Sequence, residues 1–223
     1  MSERKAPEKI DNEEILRQKK IARRIRENNE LEQQKTGKQK LMHVITFGCQ
    51  QNNSDSEKIM GMLAEMGYTH AEKKEQADVI ILNTCCVREN AELKLYGNIG
   101  ALKQLKTENP SLIIGVCGCM MQQEHAVENI RKKYRHVDLI FGTHNVHKLP
   151  ELLERSKNEK YTLIDILNTE GIIVEDIPVL RKEKFKAWVT IMYGCNNFCS
   201  YCIVPFTHRR VTGTYYTVWS PVG

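Results

Sequence analysis

The chain has 223 residues, of which 41% are apolar, and this composition is typical of a globular protein with a packed core. Its formal charge is +5, and the first 40 residues alone hold 12 Lys and Arg against 8 Asp and Glu. No apolar run approaches the ~18 residues that span a bilayer, and the N-terminus lacks the apolar core of a signal peptide. These features argue against a fibrous, membrane-spanning or secreted protein, and we expect a cytoplasmic one.

Residues 1–40 form a predicted basic arm, separate from the rest of the chain. Asp11 and Glu14 belong to a capping-box pattern, and Ile21 and Ile25 follow among many charges. The pattern predicts a solvated helix followed by a short linker, or else a disordered arm. Such a helix could contact RNA phosphates through its Lys and Arg side chains, or it could be an ordinary charged surface helix.

Apolar runs bounded by turns alternate with segments of helical periodicity from residue 41 to residue 156. This alternation predicts four βα units in an α/β domain, built as an open parallel sheet of flavodoxin-like units. The predicted strands cover 42–47, 79–82, 112–116 and 137–141, and the predicted helices begin near Ser54, Glu89, Glu124 and Val146. We therefore assign 41–156 to one domain and 157–184 to a connecting segment.

Three cysteines, Cys195, Cys199 and Cys202, lie within eight residues of one another. A [4Fe-4S] cluster held by only three thiolates keeps its fourth iron free for a small-molecule ligand. The spacing resembles the loop of the radical S-adenosylmethionine (SAM) enzymes, in which that ligand is SAM and the aromatic position of Tyr201 lies against the adenine. His208 offers a different account, because three thiolates and one imidazole also suit a structural zinc ion.

Three further cysteines, Cys49, Cys85 and Cys119, each follow a predicted strand within a few residues. Parallel strands joined by right-handed crossovers all end at one edge of the sheet, so these thiols should meet there and could share a metal cluster. Free cysteines are also common as buried apolar residues. We predict that role for Cys117, and we expect Cys86, the neighbour of Cys85, to point away from the site.

Two other pairs of residues have ordinary structural explanations. Gly48 and Gly118 stand at predicted strand ends, where a tight turn or a close approach of the backbone favours glycine. His144 and His147 follow the fourth predicted strand, and helix capping or a surface position is the role expected of both. Neither histidine is predicted to bind a metal.

Five motifs carry a family resemblance that goes beyond these spacings. They are GCQQN at 48–52, NTCCVRENA at 83–91, GCMMQ at 118–122, FGTHNVHKLP at 141–150 and GCNNFCSYCIVPF at 194–206. Together they resemble the motifs of the radical-SAM methylthiotransferases over about residues 41–207. The likeness is greatest to the branch that makes 2-methylthio-N6-dimethylallyladenosine in tRNA.

The resemblance implies an enzyme with two [4Fe-4S] clusters. By motif match, the cysteines at the three strand ends would hold an auxiliary cluster, and those of the 195–202 loop would hold the radical-SAM cluster. The resemblance further implies SAM as the source of the methyl group and of the radical, and a tRNA substrate modified next to the anticodon. It also implies an electron donor such as a flavodoxin or a ferredoxin, and a monomeric state for the complete protein.

The family pattern stops after Thr207, where an arginine and a glycine are expected and HRR follows at 208–210. We expect residues 185–223 to supply only the first strand, predicted over 188–192, and the cluster loop of a radical-SAM (β/α) barrel. A complete barrel needs ~200 residues or more. The sequence therefore predicts a truncated chain, arising as a fragment or by a frameshift, that lacks methylthiotransferase activity.

Other functions stay open at this point. A methylthiotransferase of this kind could act on a threonylcarbamoyl-adenosine tRNA or on a ribosomal protein. A non-catalytic module is a different class of function, in which the three-thiol loop holds zinc with His208 and the basic arm contacts RNA. Reconstituted iron–sulfur protein is brown and zinc protein is colourless, so colour distinguishes the two classes.

Overall fold

The computed structural model describes residues 10–86, 89–159, 161–166, 177–181, 183–188, 190, 194–195 and 197–207. Most of the strand predicted over 188–192 falls outside these residues, as do His208 and everything after it. In the described part of the chain, no helix is both long enough and apolar enough to cross a lipid bilayer.

Helices and strands alternate along the described residues. The helices are α1 (Asn12–Thr36), α2 (Gln50–Glu65), α3 (Glu89–Glu108), α4 (Glu124–Lys133), α5 (Leu149–Ser156) and α6 (Val204–Thr207). The strands are β1 (Leu41–Thr46), β2 (Thr69–His70), β3 (Val79–Thr84), β4 (Ile113–Gly118), β5 (Leu139–Phe141) and β6 (Leu163–Asp165). Short 3₁₀ helices lie at Lys74–Gln76, Cys119–Gln122 and Thr143–Lys148.

These strands form one parallel sheet in the order β2-β1-β3-β4-β5-β6. In the register of the sheet, Asn83 of β3 lies beside Thr46 of β1 and beside Cys117 of β4. The order 2-1-3-4-5 is that of flavodoxin-like doubly wound sheets, which reverse their winding between β1 and β3. The predicted open parallel sheet is confirmed, and with it the common edge at which β1, β3 and β4 end.

Both faces of the sheet are covered by helices. Val79 and Ile81 of β3 join the apolar cluster formed with α1, α2 and α5, whereas Ile80 and Leu82 join the cluster formed with α3 and α4. Successive side chains of a strand point to opposite faces, and burial on both sides explains the continuous apolar run of β3. Met62 of α2 lies in the first of these clusters.

Helix α1 forms as predicted, but it is not a solvated arm. Ile21 and Ile25 are four residues apart and share one face, which is buried in the core with α2 and α5. Arg17 pairs with Glu151 of α5 at 2.8 Å. The expectation of a fully solvated helix was wrong because these two isoleucines find apolar partners on the domain.

Element boundaries differ from the sequence prediction in several places. Helix α2 begins at Gln50, four residues before the capping box expected at Ser54, because Asn52 already caps the backbone there. Helix α5 begins at Leu149, after a 3₁₀ turn that the sequence did not reveal. Strands β2 and β6 were not predicted, since strands of two and three residues show too little alternation to detect. Strand β6 lies within the segment predicted to be a connection and extends the sheet.

Residues 177–181, which we call the strap, cross helix α2. The N–H of Leu180 donates a hydrogen bond to the Glu57 carbonyl at 2.9 Å. Gly61 permits the crossing, because a Cβ atom at this position would lie 2.1 Å from the carbonyl oxygen of Pro178. The strap is therefore held against α2 by close packing and a backbone hydrogen bond.

Candidate functional site

Cys49, Cys85 and Cys119 meet at the edge where β1, β3 and β4 end, as the topology predicted. Cys49 precedes α2, Cys85 follows β3, and Cys119 begins the 3₁₀ turn after β4. The side chain of Cys85 interacts with the thiols of both other cysteines. Cys85 and Cys119 are each 1% exposed, and Cys49 is half-buried. We call these three side chains the edge thiols; they border the crevice in which open α/β sheets bind ligands.

Two glycines allow the backbone segments that carry the edge thiols to approach each other closely. Gly118 has φ of +107° and Gly48 has φ of +143°, conformations that favour glycine. A Cβ atom at Gly118 would lie 2.1 Å from the Thr84 carbonyl oxygen, and one at Gly48 would lie 2.4 Å from the Cβ of Cys85. Both positions therefore require glycine for the close approach that the sequence suggested.

Asn52 holds the loop of Cys49 against the end of β3. Its Oδ1 accepts hydrogen bonds from the Cys49 N–H at 3.3 Å and from the Cys49 thiol at 3.2 Å. Its Nδ2 donates to Asn83 Oδ1 and to the Thr84 carbonyl, both at 3.1 Å. Asn83 donates in return to the Asn52 carbonyl and to Ser56 Oγ. Sequence reasoning missed this role of Asn52, although a position three residues into a helix commonly bonds back to the cap.

Cys86 does not point away from the edge thiols, and this prediction was wrong. Its N–H donates to Cys119 Sγ at 3.1 Å, and its thiol also contacts the Cys119 side chain. The same thiol donates to Thr207 Oγ1 at 3.4 Å. The chain bends at Cys86, so the alternation of an extended loop does not apply and neighbouring thiols face the same edge.

Contacts among the thiols shift their proton affinities. The interaction with Cys85 raises the pKa of both Cys49 and Cys119, whereas the interaction with Cys119 lowers the pKa of Cys86. Burial raises the pKa of Cys117, which lies in the core as predicted. Thiolates, not thiols, bind metals, so a bound cation would favour the deprotonated form of the edge thiols.

The edge thiols are candidate ligands for a metal cluster, but they do not form a preformed metal site. Among the residues that the structure describes, no group of three or more His, Cys, Asp and Glu side chains is arranged so that it could hold a metal ion. A cluster of four irons is larger than one ion and is held by thiolates, with hydrogen bonds to sulfur that tune it. Three thiols at one edge of the sheet, two of them buried, and an N–H donor to Cys119 Sγ supply groups of that kind.

The second cysteine group has a more open geometry. Cys199 is exposed, while Cys195 and Cys202 are half-buried. The N–H of Cys202 donates to the Cys199 carbonyl at 3.0 Å, which closes a turn, and Phe198 has φ of +46°. Tyr201 is 91% exposed. Neither this group nor the edge thiols form a set of side chains that could hold a metal ion among the residues that the structure describes.

Two contacts connect the segment of the second loop to the edge thiols. Helix α6 packs on the 3₁₀ turn that begins at Cys119, and Thr207 at its end is 2% exposed. Farther back along the chain, Gln51 Nε2 lies 3.5 Å from Thr190 Oγ1. The two cysteine groups, 76 residues or more apart in sequence, thus belong to one region of the molecule.

His147 is buried, so the expected surface position was wrong for this residue. The 3₁₀ turn after β5 returns beneath α1 and encloses the imidazole. Burial lowers the pKa of His147 to about 4; Lys148 acts in the same direction, and Glu14 and Asp165 oppose it. His144 is half-buried.

Comparison with known proteins identifies relatives along most of the chain. Residues 41–142 match the family described as uncharacterized protein family UPF0004. A tRNA-2-methylthio-N(6)-dimethylallyladenosine synthase of Acetivibrio thermocellus is 54% identical over 201 residues, which are 90% of this chain and 42% of the relative. Proteins of the same name from Clostridioides difficile and Clostridium tetani are 56% and 64% identical over 89% and 75% of this chain.

The chain spans about two fifths of the length of these relatives, since the matched part is 37–42% of each. The family match covers β1 to β5 and all three edge thiols. The relatives match a longer stretch, which extends beyond that domain on the chain. The chain is therefore similar over most of its length to the tRNA-2-methylthio-N(6)-dimethylallyladenosine synthases, and its residues 41–142 match the UPF0004 family.

Proposed function

We propose that this chain supplies the cluster-binding part of a tRNA methylthiotransferase. The reaction would convert N6-isopentenyladenosine next to the anticodon to its 2-methylthio derivative. The observation that supports this most is the meeting of Cys49, Cys85 and Cys119 at one buried edge, in a chain that is 54% identical to a synthase of that product. The enzyme would act in the cytoplasm, as a monomer.

In this proposal the edge thiols hold an auxiliary [4Fe-4S] cluster. Cys195, Cys199 and Cys202 hold a second [4Fe-4S] cluster, and Tyr201 lies against the adenine of SAM. When bound, these groups supply the sulfur-transfer site, the methyl group and a carbon radical. A small electron-transfer protein such as a flavodoxin or a ferredoxin would deliver the electron.

The chain itself contributes burial and orientation. Cys85 and Cys119 are each 1% exposed, so water has little access to their sulfur atoms. The Cys86 N–H donates to Cys119 Sγ and would stabilise the thiolate form of that ligand. Asn52 fixes the backbone and thiol of Cys49. These contacts hold the ligand set in place through the fold.

Helix α1 should contribute less to binding the proposed tRNA substrate than the positive charge of the helix suggests. Arg17 and Arg24 are already paired with Glu151 and Glu154 of α5. A side chain held in an ion pair neutralises fewer phosphates, because the acidic partner must first be displaced. We therefore propose that α1 serves mainly to cover the sheet, and that tRNA contacts the open region around the second cysteine loop.

SAM binding tests the proposal on the full 223-residue chain. The protein is reconstituted anaerobically with iron and sulfide, reduced, and examined by electron paramagnetic resonance with and without SAM. We expect SAM to change the signal of one cluster. The Cys199→Ala variant should lose this change and keep the other cluster, whereas the Cys117→Ala control should retain both. A colourless, zinc-containing protein that ignores SAM would contradict the proposal.

The substrate needs a separate experiment. The reconstituted protein is supplied with SAM, reductant and tRNA carrying either N6-isopentenyladenosine or threonylcarbamoyladenosine, and the nucleosides are analysed by mass spectrometry. Gain of a methylthio group on the isopentenyl nucleoside would support the proposed substrate and would overturn the expectation that this truncated chain is inactive. Gain on the threonylcarbamoyl nucleoside alone would assign the chain to a different branch.

A further inference from the structure

Cys86 lies between the two cysteine groups and contacts both regions. On one side, its N–H donates to Cys119 Sγ at 3.1 Å. On the other side, its thiol donates to Thr207 Oγ1 at 3.4 Å, within the range of hydrogen bonds that involve sulfur. Thr207 ends helix α6, five residues after Cys202. Cys86 thus joins the edge thiols to the segment that follows the second loop.

The hydrogen bonds continue in one direction from Cys86 into α6. The Thr207 hydroxyl, which accepts from the Cys86 thiol, donates to the Ile203 carbonyl at 3.3 Å. The Thr207 N–H donates to the same carbonyl at 3.2 Å. Thr207 is 2% exposed, so water cannot readily replace its partners. A thiol or a hydroxyl at position 86 can donate into this chain of bonds, whereas an alanine cannot.

Packing supports the same connection. Helix α6 lies against the 3₁₀ turn Cys119–Gln122, so the contact of Cys86 is not isolated from its surroundings. A four-residue helix is too short to be stable alone and needs such tertiary contacts. The Cys86 bond is a specific polar link in an otherwise packed contact.

We propose that Cys86 is a positioning residue that holds α6, and through it the loop of Cys195, Cys199 and Cys202, against the edge thiols. It does not itself bind the cluster in this proposal. This inference rests in part on the proposed function, since the consequence is a fixed separation between two cluster sites. The contact itself is a property of the chain and can be tested without iron.

Amide hydrogen exchange of the full chain, without added iron, tests the contact first. We expect the amides of residues 203, 204, 206 and 207 to exchange about two- to tenfold faster in Cys86→Ala, because one part-buried hydrogen bond to α6 is lost. Cys86→Ser should restore the slow exchange. Thr207→Val, which removes the hydroxyl from the other end, should resemble Cys86→Ala, and Thr207→Ser should resemble the parent chain.

Cys117→Ala is the matched control, because Cys117 is a buried thiol near the same edge that belongs to the apolar core. It should leave exchange at 203–207 unchanged. Equal exchange at 203–207 in the parent chain, Cys86→Ala and Thr207→Val would overturn the proposal. If Cys86→Ala does not fold, the comparison of Thr207→Val with Thr207→Ser decides in its place.

Paramagnetic resonance of the reconstituted, fully reduced chain tests the consequence. Two clusters held at a fixed separation broaden each other's signals, so the parent spectrum should differ from the sum of two single-cluster variants. Cys86→Ala should reduce this broadening and Cys86→Ser should keep it. Broadening that is unchanged in Cys86→Ala would overturn the positioning role. A chain that binds no iron would count against the proposed function alone, because the exchange experiment would still decide the contact.

Discussion

The two cysteine groups of this chain are built in different ways. Cys49, Cys85 and Cys119 come from three strand ends far apart in sequence, and glycines, Asn52 and core packing hold them together. The loop of 195–202 has its cysteines within eight residues, and its side chains range from half-buried to exposed. The first group depends on the whole sheet, and the second depends on a local turn.

This difference teaches which changes should affect which site. A substitution at the sheet edge should disturb the edge thiols and leave the turn of the sequence-local loop unchanged. A substitution in the strap or in α6 should leave the edge thiols in place. It should release the 195–202 loop from its contacts with the edge region. Three variants test this distinction and one pH experiment tests the core that supports the sheet, in order from the largest expected effect to the smallest.

Gly118→Ala should have the largest effect. The added Cβ atom would lie 2.1 Å from the Thr84 carbonyl oxygen, at a φ of +107° that alanine rarely adopts. We expect a loss of about 3 kcal/mol or more in the free energy of unfolding, measured by urea denaturation, from steric clash and strain together. Gly100→Ala in α3 is the control, because a Cβ atom there meets nothing within 4 Å. It should be neutral or stabilise the helix by ~0.5–1 kcal/mol.

Acid should destabilise the domain through His147. The buried imidazole has its pKa lowered from 6.5 to about 4, so the unfolded state binds more protons between these values. Stability is therefore fully present above pH ~6.5 and falls as the pH approaches 4, by about 3 kcal/mol in total. Urea midpoints measured between pH 7.5 and 4.5 should show this fall.

His147→Gln provides the comparison for that pH dependence. The fall in urea midpoint between pH 6.5 and 4.5 should be clearly smaller in this variant. The exposed His125 is the matched control, and His125→Gln should keep the fall seen in the parent chain. A fall of the same size in His147→Gln would show that other groups are responsible.

Asn52→Ala should weaken iron binding at the edge thiols without unfolding the sheet. The change leaves the Cys49 N–H and the Thr84 carbonyl without this partner, and a buried group that loses its partner costs about 1–3 kcal/mol. Iron bound at the edge should fall more than iron bound at the loop, measured after reconstitution. Asn53→Ala is the control, because Asn53 is the adjacent, exposed asparagine on the same helix. Equal iron loss in both variants would contradict the role of Asn52.

Gly61→Ala should have the smallest effect on global stability and a clear local one. Its Cβ atom would lie 2.1 Å from the Pro178 carbonyl oxygen, so the strap must move away from α2. Because the strap is a short surface segment, we expect a loss of only about 1–2 kcal/mol. Limited proteolysis should cut near 177–181 faster than in Gly97→Ala, whose site is open. Unchanged cleavage there would show that the strap does not need this close approach.

The sequence predicted the parts of this molecule that depend on long patterns. The apolar runs of β1, β3 and β4 gave the parallel sheet, and the rule that parallel strands end together placed the three edge thiols at one edge. The sequence also identified Cys117 as a core residue. The sheet follows from apolar periodicity over many residues, whereas the role of Cys117 follows from the tendency of free cysteines to be buried.

The features that the sequence did not predict depend on local bends and on partners far along the chain. Cys86 faces the edge because the chain bends there, and its partner Thr207 is 121 residues away. His147 is buried because α1 covers the turn that carries it, although α1 itself was expected to be solvated. Strand β6 is too short to give a pattern. Only the folded arrangement brings these residues together.

The most direct test of the central claim is the iron and sulfide content of the protein. The claim is that this chain has two separate cluster sites. After anaerobic reconstitution, the parent chain should bind about eight irons with matching sulfide, as expected for two [4Fe-4S] clusters. Replacing Cys49, Cys85 and Cys119 together with alanine should leave about four irons, and so should replacing Cys195, Cys199 and Cys202 together. A parent chain that binds only about four irons, all lost in one of the two triple variants and none in the other, would contradict the account.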